Sequence, residues 1–312
     1  MTTLLITHRA CLQHDTGDFH PESADRLRAI MHILEHEDFF YLDRDEAPRA
    51  TPEQLLRAHS QGHIDHILTP VPADGSIREL DPDTVISAGS AEAALRAAGA
   101  GCAAVDEVMA RRCRNSFCAV RPPGHHAERA TAMGFCLFSN AAIAALHARD
   151  AHGLQRVAVV DFDVHHGNGT QQILWDQPGM FYASTHQRDA FPYTGTARET
   201  GGVGGATVVN VPLDPGAGSP IFRDAYDRII LPALRRFAPE LIVVSAGFDG
   251  HAADPMAHLR LQVADFEWMT RRLVAIATEC CDQRLVSLLE GGYDTRALAA
   301  CVAAHLRVLM GG

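Results

Sequence analysis

At 312 residues, 47% hydrophobic and 21% charged, the chain has the length and composition of one large α/β unit, and its formal net charge of −11 argues against a surface for nucleic acid. Charge interrupts every apolar stretch well short of a bilayer span, and the amino terminus lacks the basic and apolar regions of an export signal, so no membrane association is expected. Eight cysteines without a Cys-x-x-Cys pair argue against a disulfide framework or thiolate metal site, and favour the cytoplasm.

Residues 4–7 read as a first strand, and residues 23–36 as a helix capped by Ser23, with Leu27, Ile30, Ile33 and Leu34 on one face. The polar loop between them, 14–22, is long enough to border a site. Two short helices are predicted within 53–68, and the Pro/Gly/Asp-rich stretch 70–82 is expected to hold no regular element. Residues 88–109 form an Ala-rich helical pattern whose Gly89, Gly99 and Gly101 permit close packing on a sheet. A strand at 117–120 leads into the turn Arg121-Pro122-Pro123-Gly124-His125-His126, followed by a helix over 139–149. Strands at 156–161, 181–184, 208–211, 241–245 and 285–289 then alternate with helices near 221–237, 264–281 and 295–309. This alternation predicts a central parallel sheet with helices on both faces, and no linker divides residues 1–312 into two domains.

The densest chemistry lies in residues 157–171, where Val157-Ala158-Val159-Val160 ends in Asp161, Asp163, His165, His166 and Asn168. A fully apolar run fits a strand buried on both faces, and open α/β sheets bind ligands beyond the carboxyl ends of such strands. If extended geometry continues past Asp161, then Asp161, Asp163 and His165 point the same way, and carboxylates with imidazole suit zinc. A solvated strand end is the commoner fate of one Asp or His, but not of five polar residues directly after an apolar run. Polar groups follow three further predicted strands: His125-His126, Asp249 with Asp254, and Glu290-Gly291-Gly292-Tyr293. Each alone has an ordinary structural reading; together they converge on one sheet edge. Asp163, His165 and Asp254 would supply three metal ligands and leave a position for water. His125 and His126 would move protons, Asp161 and Asn168 would orient them, and Tyr293 would donate to the developing oxyanion. His166 is expected to be structural.

In chain order, Arg-Pro-Pro-Gly-His-His (121–126), Asp-Phe-Asp-Val-His-His-Gly-Asn-Gly-Thr (161–170), Ser-Ala-Gly-Phe-Asp (245–249) with Asp254-Pro255, and Glu-Gly-Gly-Tyr (290–293) resemble the motif set of the zinc-dependent histone deacetylase family. That family also holds acetylpolyamine amidohydrolases and acetoin-utilisation proteins. The resemblance spans nearly the whole chain and implies one arginase/deacetylase-like α/β domain. It implies one zinc per chain on Asp163, His165 and Asp254, a His125–His126 acid/base pair, and Tyr293 polarising the amide carbonyl. It further implies a structural potassium held by Asp161, Ser184 and the carbonyls of Asp163 and His165, and an acyl-lysine tunnel lined by Gly134, Phe135, Phe191, Leu261 and Gly292. Asn168 and the Glu-Gly-Gly-Tyr form look like the class II branch, since class I members typically carry aspartate at the position of Asn168. Asp18, His20 and Asp83 are candidates for the rim residue that grips the substrate backbone. The expected partner is an acyl-lysine protein or peptide, or a small acetylated amine such as a polyamine, which the acidic charge slightly favours; a homo-oligomer is compatible with the sequence. The chain shows no tail or second catalytic repeat, so corepressor docking is not expected. A silent acyl-lysine sensor would have no need of Tyr293 and both histidines. A binuclear ureohydrolase would need a carboxylate two residues after His165, where Gly167 stands.

Overall fold

A computed structural model describes residues 2–311, and eight strands of the chain form one sheet in which every pairing is parallel. In chain order, β1 (Thr3–Thr7) and β2 (Asp43–Glu46) belong to the sheet, and β3 (Arg78–Glu79) and β4 (Val85–Ile86) form a separate antiparallel pair. The sheet resumes with β5 (Asn115–Ala119), β6 (Val157–Asp161), β7 (Met180–Gln187), β8 (Thr207–Leu213), β9 (Leu241–Ala246) and β10 (Leu285–Leu289). The spatial order β2-β1-β5-β10-β9-β6-β7-β8 sets the four strands with polar sequels, β5, β10, β9 and β6, side by side. All four are buried along their length, which parallel pairing between helical layers requires and which their apolar composition supplies.

The helices are α1 (Ala24–Ile33), α2 (Pro52–Ala58), α3 (Gln61–Leu68), α4 (Ser90–Met109), α5 (Asn140–His152), α6 (Asn168–Leu174), α7 (Ser219–Ala225), α8 (Leu231–Phe237), α9 (Val263–Cys281) and α10 (Thr295–Leu309). α4 and α5 pack on each other and on the central strands, while α1, α10 and α9 pack in series, with α10 against β5 and α9 against β9. The predicted α/β class, one parallel sheet with helices on both faces in a single domain, is what is observed. No helix among the described residues is long and apolar enough to cross a membrane.

Four local expectations are corrected. Ser23 occupies the N-cap of α1, but its side chain makes no capping bond. The stretch 70–82 does contain a regular element, the short strand β3. The predicted helix 221–237 is interrupted at Tyr226–Ile230 by a wider π turn, because Pro232 has no N–H to continue the ladder. Gly101 faces Leu288 of β10 and Ala144 of α5 as expected, but Gly99 makes room for the backbone at Pro48–Ala50 rather than for the sheet.

Candidate metal-dependent active site

The strand β6 ends at Asp161, so extended geometry does not carry on through His165 as the sequence pattern suggests. Instead, Asp161 Oδ1 accepts the Asp163 N–H at 3.1 Å, and Asp163 Oδ1 accepts the His165 N–H at 2.9 Å. Two successive side-chain-to-backbone turns aim the three groups at the same edge. The segment after β9 supplies Asp249 and Asp254, and the segment after β10 supplies Glu290 and Tyr293 beside them.

Ligand atoms of Asp163, His165 and Asp249 all lie within 4.8 Å of one another. His165 Nδ1 sits 3.1 Å from Asp163 Oδ1 and 3.1 Å from Asp249 Oδ2, and Asp249 Oδ1 accepts the Val164 N–H at 2.9 Å. Asp254, the third ligand expected from sequence, stands outside this group. Its Oδ2 accepts the N–H of Tyr293 at 2.6 Å and of Asp294 at 3.1 Å, and its Oδ1 accepts that of Met256 at 3.0 Å. It remains close enough for its charge to help raise the pKa of Asp249. Gly247 and Gly291 are needed here because a Cβ on either would collide with the Asp163 or Asp249 carboxylate. Gly291 thus serves the carboxylate cluster, and its N–H donates to Asp163 Oδ2 at 2.8 Å.

The tandem histidines differ in environment. His125 Nδ1 lies 3.0 Å from Asp161 Oδ2, and although burial opposes its charge, Asp163 and Asp161 push its pKa well above the ordinary value. His126 is held well below that value by burial and by the neighbouring His125 and His165. Its Nδ1 is 2.8 Å from Asn168 Oδ1, while Asn168 Nδ2 donates to Glu128 Oε1 at 2.8 Å. That second bond assigns the asparagine oxygen to the imidazole, so His126 carries its proton on Nδ1 and offers a lone pair at Nε2. The two neighbours are thus pushed in opposite directions, His125 toward its charged form and His126 toward its neutral one.

The cluster as a whole carries too much negative charge for its surroundings. Asp161, Asp163, Asp249, Asp254 and Glu290 are all buried; His125 and His165 answer them with positive charge from within, and Arg26 reaches Asp249 and Asp254 from the side. Burial, with Asp163, pushes Asp249 up to about 7; burial pushes Glu290 up to about 7 against the pull of His125; and burial raises Asp254. His165 is driven up to about 10 against burial by its bonds to Asp163 and Asp249. Surplus buried carboxylate around an imidazole is what a divalent cation neutralises, displacing the imidazole proton as it binds, so the residues fit a zinc ion. Asp161 also pairs in register with Ser184, both fully buried. The Ser184 hydroxyl lies 2.9 Å from His186 Nδ1, and His186 Nε2 lies 2.9 Å from the Gly195 carbonyl. Ser184 therefore donates to His186 and keeps oxygen lone pairs for a cation.

A cavity of ≈ 240 Å³ opens onto this edge, lined by Asp83, His126, Gly134, Phe135, His165, Phe191, Tyr193, Met256 and Tyr293. Phe191 meets His126 edge-on with ring centroids 5.0 Å apart, and Phe135 meets Tyr293 edge-on at 5.8 Å. Phe135 holds a left-handed backbone (φ 67°), strain of the kind that gathers at binding sites. Burial raises the Tyr293 phenol well above 10, so it keeps its proton as a donor. Gly134, Phe135 and Phe191 thus line the cavity, whereas Leu261 is 1% exposed and packs beside Gly250, and Gly292 points its carbonyl at Arg26. Among the rim candidates, Asp83 lines the mouth, His20 rests on the Asp83 carbonyl and on Phe135, and Asp18 is exposed away from the lining. His166 is held between Thr194 and Gln171, and burial lowers its pKa to about 4.

Sequence reasoning passed over the support beneath the tyrosine loop. Glu22, at the end of the polar loop, is wholly buried and bonds Arg121 through both oxygens and Arg26 at 3.0 Å. Arg26 donates to the carbonyls of Glu290 and Gly292 and stacks on the Tyr293 ring, 4.9 Å from its centroid. Glu290 in turn accepts the N–H groups of Gly124 at 2.6 Å and His125 at 3.1 Å. Glu22 and Arg26 gave no sequence signal, since they lie among other polar residues, and Arg121 stood out only as a charge between an apolar run and two prolines.

A family model described as the histone deacetylase domain matches residues 20–309. The chain is 39% identical over 295 residues to a histone deacetylase-like amidohydrolase of Pseudomonas aeruginosa, covering 94% of this chain and 77% of that protein. It is 38% identical over 298 residues to a probable deacetylase of Archaeoglobus fulgidus, covering 94% and 82%. The crystal structure of the HDA15 HD domain superposes with a TM-score of 0.94 at 35% identity, covering 100% of this chain and 89% of that one.

Proposed function

The chain belongs to the histone deacetylase family of hydrolases, and on that premise we propose that it is a zinc-dependent amidohydrolase that removes acetyl or other acyl groups from lysine side chains of proteins or peptides. The observation that carries this reading is that one narrow cavity is bounded by His165 of the ligand cluster, by neutral His126 and by protonated Tyr293. Asp163, His165 and Asp254 would hold the zinc, with Asp249 steadying His165; Asp254 is preferred because it stands beside Met256 and Tyr293 on the cavity side. Bound there, zinc would polarise the acyl carbonyl and lower the pKa of a water. His126 accepts the water's proton at Nε2 and returns it to the departing amine. His125, kept charged by Asp161, stabilises the negative charge that develops beside it. Tyr293 donates its hydroxyl to the same oxyanion. Phe135 and Phe191 flank the acyl-lysine methylenes, and the Asp83 carboxylate is placed to meet substrate N–H groups at the rim. Potassium on Asp161, Ser184 and the Asp163 and His165 carbonyls belongs to the same proposal, as does a cytoplasmic location, which eight free cysteines suit.

Exposed Tyr193 and Met256 at the mouth favour a peptide over a polyamine, because apolar shoulders have no use for a second ammonium. The zinc-loaded protein should show a higher kcat/KM for an acetyl-lysine peptide than for acetylspermidine, and the reverse ratio would move the assignment to polyamines. No turnover on any acyl-lysine or acetylpolyamine substrate would refute the enzyme reading. Zinc content after Asp254→Asn and after Asp249→Asn decides which carboxylate completes the site.

A further inference from the structure

Asp106 in the last turn of α4 and His147 and His152 in the last two turns of α5 form a second cluster away from the catalytic edge, with ligand atoms all within 4.8 Å of one another. Asp106 Oδ1 lies 2.7 Å from Nε2 of His147 and 2.7 Å from Nε2 of His152. We propose that these three side chains form a surface site for a divalent transition-metal ion of the zinc type, which clasps the carboxyl ends of α4 and α5 together.

One carboxylate and two imidazoles are a zinc ligand set, and an ion with ligand distances of about 2.0–2.1 Å needs its donors roughly 3.3 Å apart, so each 2.7 Å carboxylate–imidazole spacing must open by about 0.6 Å. The His147 side chain is 8% exposed, whereas those of Asp106 and His152 are 45% and 25% exposed, so the position left open faces solvent and takes water. Both helices present their carboxyl ends, where backbone dipoles favour a cation. One neighbour resists. Arg57 Nη1 lies 2.9 Å from His147 Nδ1, which makes that nitrogen an acceptor and leaves the proton on Nε2, the atom the metal requires. Binding therefore turns the His147 proton to Nδ1 and swings Arg57 toward Glu53, already bonded at 3.1 Å, and Asp150, at 3.7 Å. Arg57 acts as a brake on the site, and a side chain there that accepts from Nδ1 should tighten it.

Zinc titration of the full-length protein already loaded at the catalytic edge, with total metal measured by atomic emission, tests this. Wild type should take a second saturable equivalent, and its Tm should rise with free zinc. H152A and D106N should bind the second ion at least about tenfold more weakly and lose the zinc-dependent rise in Tm while keeping wild-type turnover, and R57Q should bind it roughly tenfold more tightly. A single equivalent in wild type that vanishes only in D163N would overturn the proposal, as would a second equivalent that H152A and D106N both retain.

Discussion

Two buried charge clusters lie side by side in this molecule, and they differ in balance. At Glu22, one carboxylate meets two guanidiniums, Arg121 and Arg26, and the surplus positive charge is spent on backbone carbonyls at Cys11, His14, Glu290 and Gly292. Against burial, the two arginines hold Glu22 down at about 2. Across β5 and β10, five buried carboxyl groups meet two imidazoles and the flank of Arg26, and several of those carboxyls are pushed up instead. The first cluster is complete as built and serves as a foundation; the second keeps carboxylate in excess, and that imbalance is of the kind that gathers at chemical sites.

Breaking the unbalanced side should have the largest effect. Asp163→Asn is expected to abolish stoichiometric zinc and cut kcat/KM by roughly 10³-fold or more, read by metal analysis beside a peptide assay. Breaking the balanced side should instead cost stability. Glu22→Gln leaves two guanidiniums buried without their carboxylate and should lose about 3–5 kcal/mol in a denaturant melt. Because the folded pKa of Glu22 lies below its ordinary value of 4.5, its contribution is complete above that value and disappears as pH falls toward about 2. The acid limb of wild-type stability should therefore flatten in the variant. Tyr293→Phe, which leaves both clusters whole, should retain zinc and lower kcat by roughly 10²–10³-fold. The smallest change is Asn168→Asp. A carboxylate at His126 Nδ1 favours its charged form, so the acid limb of the kcat/KM profile should move up by roughly one pH unit, and a superimposable profile would remove the contact from the mechanism.

The sheet was legible because buried parallel strands write long apolar runs, and the site because their carboxyl ends carry acids and imidazoles in one sense. What escaped did so for physical reasons. β2 reads Asp-Arg-Asp-Glu, an exposed edge strand with no apolar signal, and the seven-residue α6 begins inside the polar turn at Asn168, which hid the whole helix. The partnership of Glu22 with Arg121 joins residues 99 apart in sequence, which no local pattern encodes. Asp249 was visible as a polar residue at a strand end, yet its place beside His165 depends on how two turns fold back.

Asp254 holds the N–H of Tyr293 and of Asp294, and the Asp294 carboxylate then caps α10 by accepting from Arg296 and Ala297. One short relay thus joins the metal edge, the tyrosine and the start of a helix that packs across the sheet. Descendants of this sequence have little freedom to retune any of these parts separately. Innovation in what the protein accepts is left to shoulders such as Tyr193, whose exposed ring stands outside that chain of bonds.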